Sequence, residues 1–362
     1  MDNNRRPESD DALEALEAVV NMPPKRRKKN FFEKNMIPLK GDSARIKRRK
    51  VIFDSCLLVM FVCLLVLSWV VVIDPWNSKR LFGELEDLYN QGTEISEPYT
   101  EATKPDDGSP AIPPTTTSII VTRPLTHPEL LERNRDYKGW LRAPGADISL
   151  PIVQTADNSY YLKRDFYRRP SKYGNPFVDC RVDMKNPTNI IIYGHHMSNG
   201  TIFTYLTRYK NAGTVKNSPL ITLELPDGTV NRYKIVSVLA INGRSEDDKS
   251  RGPDDNGYVF AVNTPEFGSQ ASFDGYVRQI KQRSYVDTGV DVRYGDQLIS
   301  LQTCIYDFDY EFLYVIGRLV REGESTSVPN VKANPSPRHP QALYDKLKQT
   351  NPYADAERWY PS

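Results

Sequence analysis

Three side chains in this sequence could together run acyl transfer through a thiol: Cys304, His195 and Arg318. A thiol is a weak nucleophile until it ionises, and at an ordinary pKa near ~8.5 only a few per cent is thiolate at neutral pH. A neighbouring imidazole raises the reactive fraction by accepting the proton or by holding the ion pair. The attacked carbonyl also needs a cation or N–H donor where its oxyanion develops. Each residue alone says little. A lone Cys is more often a small buried apolar group, a lone His a hydrogen-bonded core residue, and a lone Arg a surface charge. Their joint placement is what points to chemistry.

That placement is a property of the elements around them. Asn189-Ile190-Ile191-Ile192-Tyr193 reads as a buried strand broken by Gly194, which leaves His195 at a strand end. Residues 298–303 likewise form a strand that ends at Cys304. The apolar run 312–320 should return antiparallel and bring Arg318 beside Cys304. His196, one residue past His195, should point to the other side of an extended chain. Residues 148–153, 220–225 and 233–241 also have strand composition, and Asp227-Gly228 is a hairpin signal between two of them. One amphipathic helix carries Phe273, Tyr276, Val277 and Ile280 on one face, with Ser272 as its expected cap. Another should run from about Thr126 through Arg135, with Pro128 in its first turn. Many strands with few helices favour a closed or nearly closed β-barrel.

The chain has 362 residues and a formal net charge of +2, so it is not built as a whole to bind nucleic acid. Its charge is uneven. Lys25-Arg26-Arg27-Lys28-Lys29 and Arg45-Ile46-Lys47-Arg48-Arg49-Lys50 crowd the stretch before an uncharged run, 55–73, that approaches the length of a bilayer-crossing helix. Apolar residues cover every face of that run, which argues against a core helix. It begins too far into the chain, and lacks the small-residue cleavage site, for a secretory signal. Lys and Arg concentrate before it, so residues 1–50 should be cytoplasmic and everything after Asp74 outside. Cys56 and Cys63 fall within the apolar run, which leaves Cys180 and Cys304 as the exocytoplasmic thiols. Such a pair could form a disulfide, or Cys304 could remain a thiol. The four histidines are dispersed, with no spacing that suggests a metal site, and no cofactor is implied.

The ordered motifs resemble one family. Leu301-Gln302-Thr303-Cys304, then Ile305-Tyr306-Asp307-Phe308, then Val315-Ile316-Gly317-Arg318-Leu319-Val320, are similar to the active-site hairpin of sortases, nearest to class B. Ile192-Tyr193-Gly194-His195-His196-Met197-Ser198-Asn199-Gly200-Thr201-Ile202-Phe203 resembles the histidine segment. Asn134-Arg135-Asp136-Tyr137-Lys138-Gly139-Trp140-Leu141, Pro151-Ile152-Val153-Gln154, Asn158-Ser159-Tyr160-Tyr161-Leu162 and Gly174-Asn175-Pro176-Phe177-Val178-Asp179 follow in family order. The resemblance covers about 126–322. It implies a mainly β protein: a sortase-like closed barrel of about eight strands with a few helices, preceded by a single transmembrane helix. It also implies a cysteine transpeptidase at a Gram-positive cell surface. Cys304 would attack a Thr carbonyl in the C-terminal sorting signal of a secreted protein, and an amine of peptidoglycan or a pilin subunit would resolve the thioester. His195 would move the protons, Arg318 would hold the substrate and the oxyanion, and Leu301 and Thr303 would contact the substrate.

Gln302 is bulkier than the residue usual at its position in the family, and Cys180 is not a family requirement. The competing reading is a non-catalytic surface binding module with Cys304 in a structural disulfide. The expected organisation is a basic tail (1–50), a membrane anchor (51–74), a helix with a Pro- and Thr-rich linker (75–125), the catalytic domain (126–325) and a C-terminal tail (326–362). The linker should give the domain reach from the bilayer. The loop 242–259 and the helix after it are expected substrate walls. A short helix near 12–20 has no expected role, and the basic stretch 25–50 should touch anionic lipid, at ~1 kcal/mol per cation.

Overall fold

Period-two alternation organises the molecule around its site. In the computed structural model, which describes residues 30–90, 127–243, 258, 260–308 and 310–361, the chain divides at Asp74 into two compact units.

The first unit holds helix α1 (Phe31–Asn35), helix α2 (Ala44–Ser68) and a π-helical turn, Trp69–Ile73. The helical run is long and apolar enough to cross a membrane by length and composition. Ser43 caps α2 by accepting from the Ile46 N–H. Near its start the buried Lys50 ammonium bonds Asp42 at 2.7 Å and the Ile37 carbonyl at 2.8 Å. The expected helix near 12–20 and the basic run 25–29 lie outside the described residues.

The second unit opens with helix α3 (Asp74–Asn90), followed after residues 91–126 by α4 (Pro128–Arg133). Then come β1 (Tyr137–Ala143), β2 (Ile148–Val153), β3 (Phe177–Val178), β4 (Asn189–Tyr193), α5 (Ala212–Asn217), β5 (Leu220–Glu224) and β6 (Val230–Asn242). The remainder is α6 (Gln270–Arg283), β7 (Val286–Asp287), β8 (Leu298–Ile305), β9 (Glu311–Leu319), β10 (Lys332–Ala333) and α7 (Gln341–Leu347). Eight strands close a mixed barrel in the order β1-β2-β3-β4-β8-β9-β6-β5, with β5 returning to β1 through Trp140 opposite Glu224. The β2–β3 and β4–β8 pairs are parallel. Accordingly β4 is apolar on both faces, as a strand covered on both sides must be.

The expected strands are present, and the Asp227-Gly228 hairpin joins β5 to β6 with Gly228 at φ 85°, a conformation glycine adopts without strain. The short β3 was not legible. The cap of α6 is Ser269, not Ser272, because the helix begins one turn earlier than its apolar face suggests.

Two terminal regions belong to the barrel unit. On α3, Ser78, Phe82, Leu85 and Tyr89 are buried at helical spacing. Tyr89 stacks on Trp140 at 4.4 Å and on His127 at 4.5 Å, and its hydroxyl donates to Glu224 at 2.7 Å. The helical part of 75–125 packs into the barrel unit, and the stretch 91–124 expected to give reach lies outside the described residues. At the other terminus Trp359 is buried against Phe260 and Tyr276, and its indole N–H donates to the Ser272 carbonyl at 2.9 Å. Gly275 makes that approach possible, since a Cβ there would stand 2.5 Å from the indole.

Candidate active site

Strand alternation decides which side chains near Cys304 can meet another molecule. Along β8 and β9, Ile299, Leu301, Ile305, Leu313 and Val315 join the barrel interior. Leu298, Phe312, Tyr314 and Ile316 face outward, toward the second core under α6. Cys304 shares the parity of the outward set and sits opposite Phe312, with Gln302 opposite Tyr314. Both Cys304 and Gln302 are half-buried. Leu301 is fully buried and Thr303 is 1 % exposed. The expected substrate contacts of Leu301 and Thr303 are therefore corrected: the pleat turns both side chains into the barrel, and Gln302 is the neighbour on the outward face.

His195 follows the end of β4. The β4–β8 register pairs Tyr193 with Gln302, and the Gly194 N–H continues it by donating to the Gln302 carbonyl at 3.0 Å. His195 and Cys304 each lie two residues beyond that last pair. Gly194 is required there, because a Cβ would fall 2.6 Å from the Phe203 ring. His195 Nε2 lies 2.9 Å from the Leu162 carbonyl. A carbonyl only accepts, so Nε2 carries the hydrogen and Nδ1 is left as the basic nitrogen of the neutral ring. Leu162 belongs to a short helical turn, Tyr160–Lys163, far from β4 in sequence. Nothing in the local pattern announced it.

His196 does not point away from the cysteine. The chain leaves the strand at Gly194 and bridges back to Ile202, so simple alternation no longer applies. The His196 ring bonds the Cys304 backbone and meets Tyr306 edge-on at 5.4 Å. Burial pushes its pKa down, opposed by that backbone bond. It thus stands as a neutral donor where the next ladder N–H of β4 would have been.

The thiol itself is unbridged, as is Cys180. The disulfide required by a purely structural reading is absent from both. Burial pushes the Cys304 thiol above its ordinary pKa, so a base must take its proton as it attacks.

Arg318 is not brought to this place. The β8–β9 turn is short, so Phe312 faces Cys304, while Arg318 faces Leu298. Six residues of strand separate those positions, about 20 Å at ~3.3 Å per residue. The guanidinium is fully buried, bonded to Glu324 and to the carbonyls of Leu319 at 2.8 Å and Asp291 at 3.2 Å. Lys234 joins the same Glu324 at 2.7 Å. Arg318 is thus a structural cation, and the expectation that it serves Cys304 is withdrawn.

Other polar groups near the site escaped sequence reasoning. Tyr193 donates to Asp179 at 2.6 Å, and Arg181 pairs with the same carboxylate at 2.7 Å. Burial raises the Asp179 pKa, but these partners outweigh it and hold it at about 2. Inside the barrel end, Glu311 is buried beneath the turn after Cys304. Its signal was a carboxylate at an inward position of an otherwise apolar strand. The expected wall 242–259 lies mostly outside the described residues.

The barrel and its hairpin are shared with known proteins. The sortase domain family model matches residues 141–324. A sortase B of Listeria monocytogenes is 30% identical over 197 residues, covering 54% of this chain and 72% of that protein. A sortase B of Staphylococcus aureus is 25% identical over 197 residues, covering 53% and 74%. Among solved structures, sortase B from B. anthracis superposes with a TM-score of 0.52 at 20% identity, covering 70% of this chain and all of that one, a likeness of fold. With its family match extending over half its length and a curated relative matched across most of its own, the chain belongs to the sortase family of cysteine transpeptidases, in class B.

Proposed function

We propose that this chain is a membrane-anchored sortase that cleaves a C-terminal sorting signal of secreted proteins and transfers the acyl group to an amine. The observation that carries the site assignment is the parallel register of β4 on β8, with His195 Nε2 pinned by Leu162. That register closes with Tyr193 opposite Gln302, two residues before His195 and two before Cys304. In this reading Cys304 Sγ attacks the scissile carbonyl while its proton passes to His195 Nδ1. The tetrahedral intermediate collapses to a thioester, and the proton goes to the departing amine. The incoming amine then attacks the thioester, loses a proton to His195, and releases Cys304 as thiol. The acceptor is an amine of peptidoglycan or a pilin subunit. Arg318 has no part in these steps. Oxyanion stabilisation falls to backbone N–H donors near Cys304.

Anchoring is assigned to the apolar helix of the first unit, whose most apolar stretch has no buried residue. Arg45, Lys47, Arg48 and Arg49 lie before its apolar stretch, which supports a cytoplasmic N-terminus and an extracellular barrel. The test is incubation of the full chain in detergent micelles with sorting-signal peptides and a panel of amines, followed by mass spectrometry. A peptide thioester on Cys304 and an amide product are expected. Cys304→Ala should abolish both, and His195→Ala should slow turnover by about 10²–10⁴-fold. Thioester capture that survives Cys304→Ala, or turnover undiminished in His195→Ala, would overturn the assignment.

A further inference from the structure

The turn after Cys304 is held by charges drawn from several other parts of the fold. Glu311, the first residue of β9, pairs with Ile305 across the hairpin and with Asn242 of β6. It is 1 % exposed. One carboxylate oxygen accepts the Asp307 N–H at 2.8 Å, and the Phe308 N–H bonds the same carboxyl. The other oxygen has no hydrogen-bond partner, and the Lys210 ammonium stands 3.9 Å from it. Lys210 lies in the helical turn Thr204–Lys210, which continues the histidine segment.

The groups facing this carboxylate come from each surrounding element. Lys210 bonds Asp307 Oδ2 at 2.6 Å and sits 5.0 Å from the Tyr285 ring centroid. Tyr285 in turn meets His339 at 5.1 Å. From α7, Lys346 donates to the Asp307 carbonyl. The turn is thus tied from beneath by Glu311, from the histidine segment by Lys210 and from the C-terminal region by Lys346. A buried carboxylate is costly unless it satisfies donors that would otherwise be orphaned. Here those donors are main-chain N–H groups three and four residues beyond the nucleophile.

We propose that Glu311 is a positioning residue: its carboxylate, balanced by Lys210, fixes the turn at Asp307 and Phe308 and thereby sets the rate at which Cys304 is acylated. Glu311 touches no substrate and acts through the turn. Burial pushes its carboxyl up to about 7, against the pull of Lys210. Ionised, it accepts strongly from both N–H groups and attracts Lys210. Protonated, it accepts weakly and no longer attracts Lys210. In openings that break these two bonds while the carboxyl stays enclosed, the turn is therefore tighter above that pH than below it. Full unfolding, which exposes the carboxyl to water, has the opposite pH dependence. The effect on acylation rests on the transpeptidase reading; the effect on the turn does not.

The test uses the full chain in detergent micelles and reads both levels. Hydrogen–deuterium exchange of the peptide 305–312, corrected for the intrinsic pH dependence of exchange, reads the turn. Protection should rise several-fold across neutrality in the wild type and in His195→Ala, and stay flat in Glu311→Gln. Thioester formation reads the chemistry: Glu311→Gln should lose several-fold in kcat/KM above neutrality with no fall in unfolding midpoint relative to wild type there. Lys210→Met should move the protection midpoint to higher pH. A pH-dependent protection that persists in Glu311→Gln, or acylation by that variant with the wild-type rate and pH profile, overturns the proposal. If no peptide is turned over by the wild type, the transpeptidase reading fails, and the exchange profiles still decide whether Glu311 positions the turn.

Discussion

The two ends of β9 carry buried charge in opposite electrical states. At the Cys304 end, burial pushes the Glu311 carboxyl up to about 7 and the Cys304 thiol above its ordinary range. One Glu311 oxygen remains unpartnered. At the far end Arg318 is as deeply buried, yet Glu324, Asp291 and main-chain carbonyls surround it. Bonding to Arg318, outweighing partial burial, holds the Glu324 carboxyl well below the usual carboxylate range. Burial of a charge therefore does not by itself mark chemistry. Incomplete compensation does, because it leaves a carboxyl, Glu311, that exchanges its proton near neutrality.

Substitutions at the two ends should separate these roles. Cys304→Ala is expected to abolish thioester capture, a loss beyond about 10³-fold, with no fall in unfolding midpoint. Arg318→Met should do the reverse. Breaking a buried pair strands Glu324 and costs about 4 kcal/mol, read as a lower urea midpoint, while acylation per folded molecule is retained. Loss of acylation at full foldedness in Arg318→Met would erase the contrast.

The pH dependence of stability should also differ in sign. Between the ordinary Glu range and about 7, folded Glu311 holds a proton that the unfolded chain has released. Its contribution therefore makes stability fall as pH rises through that window. Glu324 is depressed, so its contribution is present above the ordinary carboxylate range and lost as pH falls through it. Relative to wild type, Glu311→Gln should gain about 2 kcal/mol on going from about pH 5 to about pH 8. Glu324→Gln should approach wild-type stability only as the medium becomes acid. Urea unfolding at a series of pH values checks both, and parallel profiles would sink the distinction.

The smallest expected effect lies at a buried carboxylate with a neutral donor. Tyr89→Phe removes the hydroxyl bonded to Glu224 and leaves the ring stacked on Trp140. The cost should be about 1 kcal/mol, measured by denaturant unfolding. No loss would mean that α3 is held by its apolar face alone.

Most of the barrel was legible. Strand runs such as Asn189–Tyr193 and Ile148–Val153 are short and apolar between polar neighbours or glycine, so composition largely delimits them. The two ends of the barrel unit were not. Tyr89 and Trp359 lie beside low-hydrophobicity text, and only their partners Trp140 and Tyr276 reveal why they are buried.

The site divides in the same way. By itself the sequence determined that Cys304 and His195 stand at strand ends, since the apolar runs before them have clear limits and Gly194 breaks one of them. It also determined the family, through motifs in a fixed order. Register belonged to the tertiary structure. Five residues of turn set Phe312 opposite Cys304, carried Arg318 to the far end of the barrel, and turned Leu301 and Thr303 inward. Pairing depends on how the chain closes a hairpin and on which parallel neighbour it meets, and neither is written in a strand's own composition. For the same reason the partners that tune the site, Leu162 beside His195 and Lys210 beside Glu311, became visible only when distant segments met.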